Sequence, residues 1–210
     1  MLKKLALLAA LTAAAAPALA AQATGTLQFN NGGSINDGHY YTGPYNGTLN
    51  GTAVSLNCVD FFHEVNNGDV WTVNITSLNS GDLSNTRLGN AGVDQYMKAA
   101  YLSGQYAGQS STNVVDIQHA IWTIMGASGE NTGNAQYWIN LANTNFNTTN
   151  FNYADYKILT DTRVGDGITA DDLTKQEFLT TTPEPGSLAL LGTGLIGLVP
   201  LVPRRRRRNV

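Results

Sequence analysis

The clearest helical pattern in the chain lies at residues 114–125, which read VVDIQHAIWTIM. Its apolar side chains recur at three- and four-residue spacing along one face, and Gln118 lies on that same face. Residues 111–113 are Ser, Thr and Asn, which can cap the start of the helix, and Gly126 can end it. We therefore predict a helix in the middle of the chain that carries a glutamine amide on its buried face.

The segments on either side of this helix favour strands before and after it. Residues 53–65 and 69–78 have the composition of two strands, and the turn Asn66-Asn67-Gly68 joins them as a hairpin. The remaining predictions are helices at 93–106 and 135–142, a loop at 143–152, and closing strands at 156–160 and 174–179. This order indicates an α+β fold, an antiparallel β-rich domain with a small helical subdomain in the middle of the chain.

The N-terminal segment has the composition of a signal peptide. Residues 1–21 begin with Lys3 and Lys4, continue with an apolar Leu/Ala stretch and end in small residues that suit a signal peptidase. The mature extracellular domain is therefore predicted at residues 22–180.

The C-terminal segment, residues 181–210, has the three parts of a sorting signal. Pro183-Glu184-Pro185 is followed by an apolar run at 188–202 and by five arginines at 204–208. The run is shorter than the roughly 20 residues of a typical membrane-spanning helix, and the arginines would hold its far end in the cytoplasm. A plain C-terminal membrane anchor is the alternative interpretation.

This arrangement resembles the PEP-CTERM signal that exosortase-type membrane enzymes read in Gram-negative bacteria. The resemblance implies that an exosortase-type enzyme processes the protein. It also implies a secreted or cell-surface location, reached after transient anchoring in the inner membrane by the C-terminal hydrophobic helix.

The charge of the mature domain excludes one class of partner. Seven of the twelve basic residues and one of the fifteen acidic residues, Glu184, lie in the two terminal signals, so five basic residues remain against fourteen acidic ones. An acidic domain of this kind is not expected to bind nucleic acid, which requires clustered positive charge.

Cys58 is the only cysteine of the chain, and it lies in the exported part. Exported proteins usually pair their cysteines, so a single one indicates an intermolecular bond, a buried thiol or a reactive group. In a strand it would share a half-buried face with Leu56, Asp60 and Phe62. The amide of Gln118 likewise needs a partner, because an unsatisfied buried amide costs about 1–3 kcal/mol.

Two short motifs, Cys58-Val59-Asp60 and Gln118-His119-Ala120-Ile121-Trp122, resemble the thioester domain of bacterial surface adhesins. The resemblance implies an internal thioester in which the sulfur of Cys58 is acylated by the side chain of Gln118. The chain has Ile117 where that family commonly has Thr.

The same resemblance suggests roles for the neighbouring residues. Asp60 and Trp122 would assist or shield the bond, and Phe61, Phe62 and Ile121 could keep water from it. His119 or His63 could act as the general base for a weak nucleophile such as a hydroxyl.

We therefore expect an adhesin-like domain, with no enzymatic turnover and no cofactor, that attaches covalently to a surface, polysaccharide or protein nucleophile. The alternative is a non-covalent structural or exopolysaccharide-associated matrix protein, for which Tyr40, Tyr41 and Tyr45 could stack on sugar rings or pack in the core.

Weaker patterns indicate other sites. A hydrolase would use Cys58 with His63 or His119 and an acid such as Asp60 or Asp116, but nothing places a histidine beside the cysteine. His39, His63, His119 and Cys58 do not have metal-ligand spacing. The remaining pattern is a set of four aspartates whose order does not match an EF-hand calcium loop, and an exposed acidic turn fits it better than a calcium site: Asp161, Asp166, Asp171 and Asp172.

Overall fold

The computed structural model describes residues 23–148, 150–164 and 173–181. Within these ranges the chain forms eight strands, three α-helices and two short 3-10 helices. In chain order they are β1 (Ala23–Asn30), β2 (Ile35–Asn36), β3 (Tyr41–Thr42), β4 (Tyr45–Leu49), β5 (Thr52–Cys58), β6 (Val70–Ser77), a 3-10 turn (Gly89–Gly92), α1 (Val93–Ser103), α2 (Ser111–Ile124), α3 (Ala135–Asn145), a second 3-10 turn (Tyr153–Asp155), β7 (Tyr156–Asp161) and β8 (Phe178–Thr181).

Six of the strands close into an antiparallel barrel in the order β1-β4-β5-β8-β7-β6, with β6 returning to β1. Alternate residues of a strand point to opposite sides, so each strand contributes one row of side chains to the interior. In β6, for example, Trp71 and Val73 are buried while Val70 and Thr72 are exposed. The barrel interior is filled by apolar side chains from all six strands: Leu27, Phe29, Tyr45, Leu56, Cys58, Trp71, Val73, Leu159 and Phe178.

The three helices lie between β6 and β7 in the chain and form a second core against the outside of the barrel. Ile158 and Leu179 are buried in this second core, together with Ile117 and Ile121 of α2. Trp122 is the next residue of α2, and it packs instead into the barrel interior. Helix α2 therefore contributes to both cores.

The coarse fold class is confirmed, because the described domain is β-rich, antiparallel and carries helices. The predicted hairpin between residues 53–65 and 69–78 is wrong. Strand β5 ends at Cys58 and pairs with β4 and β8, whereas β6 pairs with β1 and β7. A turn does form at Asn66–Asp69, with Gly68 at φ 90°, but the Gly68 N–H donates to Phe29 O and so joins the turn to β1.

Several local boundaries also differ from the predictions, and α1 ends at Ser103 instead of residue 106. The N-cap of α2 is Ser110, whose side chain accepts from the Asn113 N–H. Helix α3 continues to Asn145, into the segment predicted as a loop, and the last strand is β8 at Phe178–Thr181.

The short β2–β3 hairpin, residues 35–42, covers part of α2. Its turn is closed by the Asp37 N–H donating to Tyr40 O, and Gly38 adopts a φ of 106°, which suits glycine. The hairpin brings Asp37, Tyr40 and the following Gly43 close to the middle of the helix.

The predicted signal peptide lies outside the described residues, and so does the predicted sorting signal apart from Thr181, the last residue of β8. Within the ranges that the structure covers, no helix is long and apolar enough to cross a membrane.

Candidate functional site

The structure brings Cys58 and Gln118 together where the barrel meets α2. Cys58 is the last residue of β5 and Gln118 lies in the middle of α2, and both side chains are fully buried. The Gln118 Nε2 donates to the backbone carbonyl of Cys58 at 2.8 Å. The prediction that Cys58 is half-buried on a face shared with Asp60 and Phe62 is wrong, because the strand ends at Cys58 and the chain turns immediately after it.

The side-chain carbonyl of Gln118 is held by two donors. Its Oε1 accepts from the Tyr106 hydroxyl at 3.0 Å and from the Gly43 N–H at 3.3 Å. A Cβ at position 43 would lie 3.1 Å from this oxygen and 3.0 Å from the Tyr45 ring, so glycine allows the close approach of the backbone. Together these contacts satisfy the amide, and both donors point at the oxygen that would gain negative charge if its carbonyl carbon were attacked.

The sulfur of Cys58 is also held by two groups. Its S–H donates to the Asp60 carbonyl at 3.1 Å, and it accepts from the Trp122 Nε1–H at 3.4 Å. Burial, reinforced by the negative charge of Asp60, raises the pKa of the Cys58 thiol to about 12, although the Trp122 hydrogen bond opposes the shift. The thiol is therefore protonated at neutral pH. We refer to Cys58, Gln118, Tyr106 and Gly43 as the acyl site.

Aromatic rings cover the acyl site on the side of Trp122. The Trp122 ring packs edge-to-face against Phe61 at 5.2 Å and against Tyr40 at 5.8 Å between centroids. Two other residues that were predicted to shield the bond have different environments. Phe62 is 42% exposed, and Ile121 packs in the helical core rather than beside Cys58.

His119 lies on another side of α2 and is enclosed by carboxylates. Its Nε2 is 2.8 Å from Asp37 Oδ2 on the β2–β3 hairpin, and its Nδ1 is 3.0 Å from Glu130 Oε2 in the loop after α2. Burial alone would raise the pKa of Asp37. Hydrogen bonds from Tyr40, His39 and His119 lower it by more, so the pKa of Asp37 lies below its ordinary value. His119 thus joins the hairpin to the helix, with a carboxylate beside each of its ring nitrogens.

His63 belongs to a second buried group, which we call the Asp60 cluster and which contains Asp60, His63, Arg87, Tyr96, Thr160 and Glu177. The His63 Nδ1 is 2.8 Å from Asp60 Oδ2, and the Arg87 Nε is 2.7 Å from the same oxygen. The Glu177 N–H donates to this carboxylate at 3.3 Å. These contacts hold Asp60 in place. Its backbone oxygen accepts the hydrogen bond from the S–H of Cys58, two residues earlier in the chain.

Glu177 is the fully buried acid at the other end of the Asp60 cluster. Its carboxylate accepts from the Tyr96 hydroxyl and from Thr160 Oγ1, each at 2.5 Å, and from the Arg87 N–H at 3.0 Å. Burial raises the pKa of Glu177, partly offset by the Thr160 and Tyr96 hydrogen bonds. This group joins β7, α1, the loop containing Arg87 and the segment that leads into β8.

A cleft of about 400 Å³ opens beside the rings of Tyr40, Phe61 and Trp122. Tyr41 also lines it and is exposed, whereas Tyr45 is buried at its floor. The cleft thus reaches Trp122, the residue that contacts the sulfur of Cys58.

No group of three His, Cys, Asp or Glu side chains within the described ranges is arranged to hold a metal ion. His63 and His119 are each paired with carboxylates, and Asp161 is paired with Arg163, its Oδ2 2.5 Å from Nη2. Three aspartates of the predicted acidic turn lie outside the described residues: Asp166, Asp171 and Asp172.

Sequence reasoning placed Cys58, Gln118, Asp60 and Trp122 in one neighbourhood, and the structure brings them together. It missed Tyr106 and Gly43 of the acyl site, and Arg87 and Glu177 of the Asp60 cluster. The pattern around Gln118 indicated that the amide needed partners, but nothing local to Tyr106 identified it as one of them.

The comparisons with known proteins identify the C-terminal segment. Residues 181–207 match the family model of the PEP-CTERM protein-sorting motif, and Pro183, Glu184 and Pro185 lie within the match. The motif indicates an exported, exosortase-processed surface protein. No curated protein and no solved structure matches the chain, so neither comparison supports the resemblance to adhesin thioester domains.

Proposed function

We propose that the mature domain is an adhesin-like module that forms an internal thioester between Cys58 and Gln118 and uses it once to attach covalently to a surface nucleophile. The observation that carries the proposal is the buried contact between the two residues, with the Gln118 carbonyl held by two donors and the Cys58 sulfur held by Trp122. Since the acyl group is consumed by the reaction, the protein is not a turnover enzyme.

Bond formation requires attack of the Cys58 sulfur on the Gln118 carboxamide carbon. The carbon–nitrogen bond breaks, the nitrogen leaves as ammonia with the thiol proton, and a carbon–sulfur bond replaces it. The Tyr106 hydroxyl and the Gly43 N–H would stabilise the negative charge on Oε1 in the tetrahedral intermediate. Because the thiol has a raised pKa, we attribute the reaction to the positions of the groups and not to a preformed thiolate.

The same environment would preserve the thioester after it forms. A thiol of high pKa is a poor leaving group, and the rings of Trp122, Phe61 and Tyr40 restrict access of water to the acyl carbon. The incoming nucleophile is an amine or a hydroxyl. Its attack on the acyl carbon forms an amide or ester bond, breaks the carbon–sulfur bond and leaves Cys58 as a free thiol that takes up the nucleophile's proton.

Delivery to the cell surface completes the proposal. The signal peptide would direct export, and the apolar run after Pro185 would anchor the protein transiently in the inner membrane until the exosortase-type enzyme acts. The partner is then a polysaccharide or protein nucleophile at the surface.

The test is the intact mass of the protein recovered from the cell envelope, measured before and after methylamine. The thioester predicts a mass one ammonia below the calculated value, which rises by one methylamine on treatment while Cys58 becomes titratable. Cys58→Ala should have its full calculated mass and add no methylamine. A full mass and a free thiol in the untreated protein would leave the second candidate, a non-covalent structural or exopolysaccharide-associated matrix protein.

A further inference from the structure

The cleft beside Trp122 combines aromatic rings with uncharged amides. Tyr40, Tyr41 and Phe61 supply rings, and Asn66, Asn67 and Gln176 supply amides, around a volume of about 400 Å³. A sugar ring has apolar C–H faces that pack on aromatic rings and hydroxyls that need both donors and acceptors. From this lining we propose that the cleft binds a neutral polysaccharide chain.

Two tyrosines present their rings to solvent, and the Tyr40 ring has a fixed orientation. Tyr41 is 53% exposed and Tyr40 is 41% exposed. The Tyr40 ring packs edge-to-face on Phe61 at 5.2 Å between centroids and on Trp122 at 5.8 Å, so its orientation is set before any ligand arrives. Rigid tyrosines lose little conformational entropy on binding, which makes them efficient contact residues.

The amides have hydrogen-bonding capacity left over for a ligand. The Gln176 Nε2 donates to Asp60 O, and Asn67 Oδ1 accepts from the Asn31 N–H. In the described part of the chain these contacts leave the Gln176 carbonyl as an acceptor, the Asn67 NH₂ as a donor, and both ends of the exposed Asn66 amide.

The charges around the cleft select for an uncharged chain. Among the described residues that line it there is no Lys or Arg, and His63 is bonded to Asp60. The exposed Glu64 adds a negative charge at the rim. An anionic polymer would meet repulsion without a compensating cation, whereas a neutral chain would not.

This binding goes beyond the thioester and does not require it. A chain in the cleft would lie against Trp122, whose Nε1–H donates to the Cys58 sulfur, so non-covalent binding would hold a target next to the acyl site. Because binding needs no chemistry, it can be measured in the Cys58→Ala protein.

The experiment titrates the exported protein recovered from the cell envelope, as wild type and as Cys58→Ala, with soluble dextran, cello-oligosaccharide, N-acetylchito-oligosaccharide and alginate. Binding is followed by tryptophan fluorescence and by retardation in native gels that contain each glycan. We expect saturable binding of at least one neutral glycan by both proteins and none of the anionic alginate. Tyr41→Ala should weaken that binding about tenfold, because it removes an exposed ring from the cleft.

Tyr137→Ala is the matched control, since Tyr137 is 54% exposed and lies on α3, outside the residues that line the cleft. Its affinity should equal that of wild type. The inference is overturned if none of the three neutral glycans binds, if alginate binds equally well, or if the two tyrosine variants lose affinity alike. A protein that shows the mass deficit but binds no glycan would contradict glycan binding and leave the thioester proposal intact. A protein that binds a glycan at its full calculated mass would contradict the thioester and leave glycan binding intact.

Discussion

Two buried polar groups begin within two residues of each other at the end of β5, and they differ in charge. The acyl site contains a thiol, an amide, a hydroxyl and a backbone N–H, none of which is charged at neutral pH. The Asp60 cluster contains the acidic side chains of Asp60 and Glu177 and the guanidinium of Arg87, all buried. Both groups lie between the barrel and the helices.

This difference in charge separates the group that stabilises the fold from the group that can react. Buried charges are costly unless they are paired, so the Asp60 cluster is stable only as a complete set and fixes the segments that supply its members. Uncharged groups carry a smaller desolvation cost and can change covalent partner without leaving a charge buried. Substitutions in the Asp60 cluster should therefore lower stability, and substitutions in the acyl site should lower reactivity.

The largest expected effect is on stability, from Asp60→Ala. The substitution leaves the buried Arg87 guanidinium without the carboxylate 2.7 Å from its Nε, and His63 without the acceptor of its Nδ1. Removing one partner of a buried ion pair costs about 3–5 kcal/mol. Urea denaturation followed by circular dichroism should show this loss in the free energy of unfolding.

Asp82→Ala is the control for that measurement. Asp82 is exposed, and its carboxylate accepts from the Ser84 N–H. Its urea midpoint should match that of wild type. A loss of less than about 1 kcal/mol for Asp60→Ala would show that the cluster does not hold the fold, and the division between the two groups would fail.

The next effect is on rate, from Tyr106→Phe in the acyl site. The change removes the hydroxyl that donates to Gln118 Oε1 at 3.0 Å and leaves the Gly43 N–H in place. Loss of one donor to a developing oxyanion slows acyl transfer about 10²- to 10³-fold. The rate of methylamine incorporation, followed by intact mass, should fall by about that factor, while the unfolding free energy falls by only about 1 kcal/mol.

Tyr96→Phe makes the same chemical change in the Asp60 cluster. It removes the hydroxyl that donates to Glu177 Oε2 at 2.5 Å, which should cost about 1.5–3 kcal/mol of stability and leave the methylamine rate unchanged. Equal rates for Tyr106→Phe and wild type would rule out the hydroxyl as an oxyanion donor. A slower rate of methylamine incorporation in Tyr96→Phe would show that the Asp60 cluster and the acyl site are coupled.

The sequence indicated the neighbourhood of Cys58 and Gln118 better than it indicated the groups around them, because only Gln118 lies in a periodic pattern. Periodicity placed Gln118 on the buried face of α2, and an amide there must have partners, so a nearby polar group was expected. The partner Cys58 is 60 residues away, and only the resemblance to a known motif suggested the pair. Tyr106 lies just after α1, and no local sequence pattern marks it as a partner of Gln118. Its role depends on how α1 packs on α2.

The Asp60 cluster and the strand pairing could not be read from local sequence. Asp60 and Glu177 meet across 117 positions, and Arg87 reaches Glu177 across 90. The turn at Asn66–Asp69 gave a correct local signal, with Gly68 at positive φ, but strand partners are chosen by non-local packing. The helical middle of the chain was predictable because its contacts repeat every three or four residues, whereas barrel closure was not.

The smallest effect is the pH dependence that the Cys58 thiol adds to stability. Its pKa rises from an ordinary 9.0 to about 12 on folding, mainly through burial. Between these values the unfolded chain loses the proton and the folded protein keeps it. The free energy of unfolding therefore falls as the pH rises through 9, and the slope approaches about 1.4 kcal/mol per pH unit above about pH 10. Below about pH 8 the thiol adds almost no pH dependence.

This slope distinguishes the two covalent states of the acyl site. Methylamine-treated protein has a free thiol and should lose stability between pH 9 and 10 more steeply than Cys58→Ala, which keeps the buried tyrosines that also titrate at high pH. Untreated protein has no thiol to ionise if the thioester is formed, so its slope should follow that of Cys58→Ala. The measurement is urea denaturation of all three proteins at pH 8, 9 and 10. Equal slopes for treated protein and Cys58→Ala would show that folding does not raise the pKa of the Cys58 thiol, and the argument from a poor leaving group to a long-lived thioester would fail.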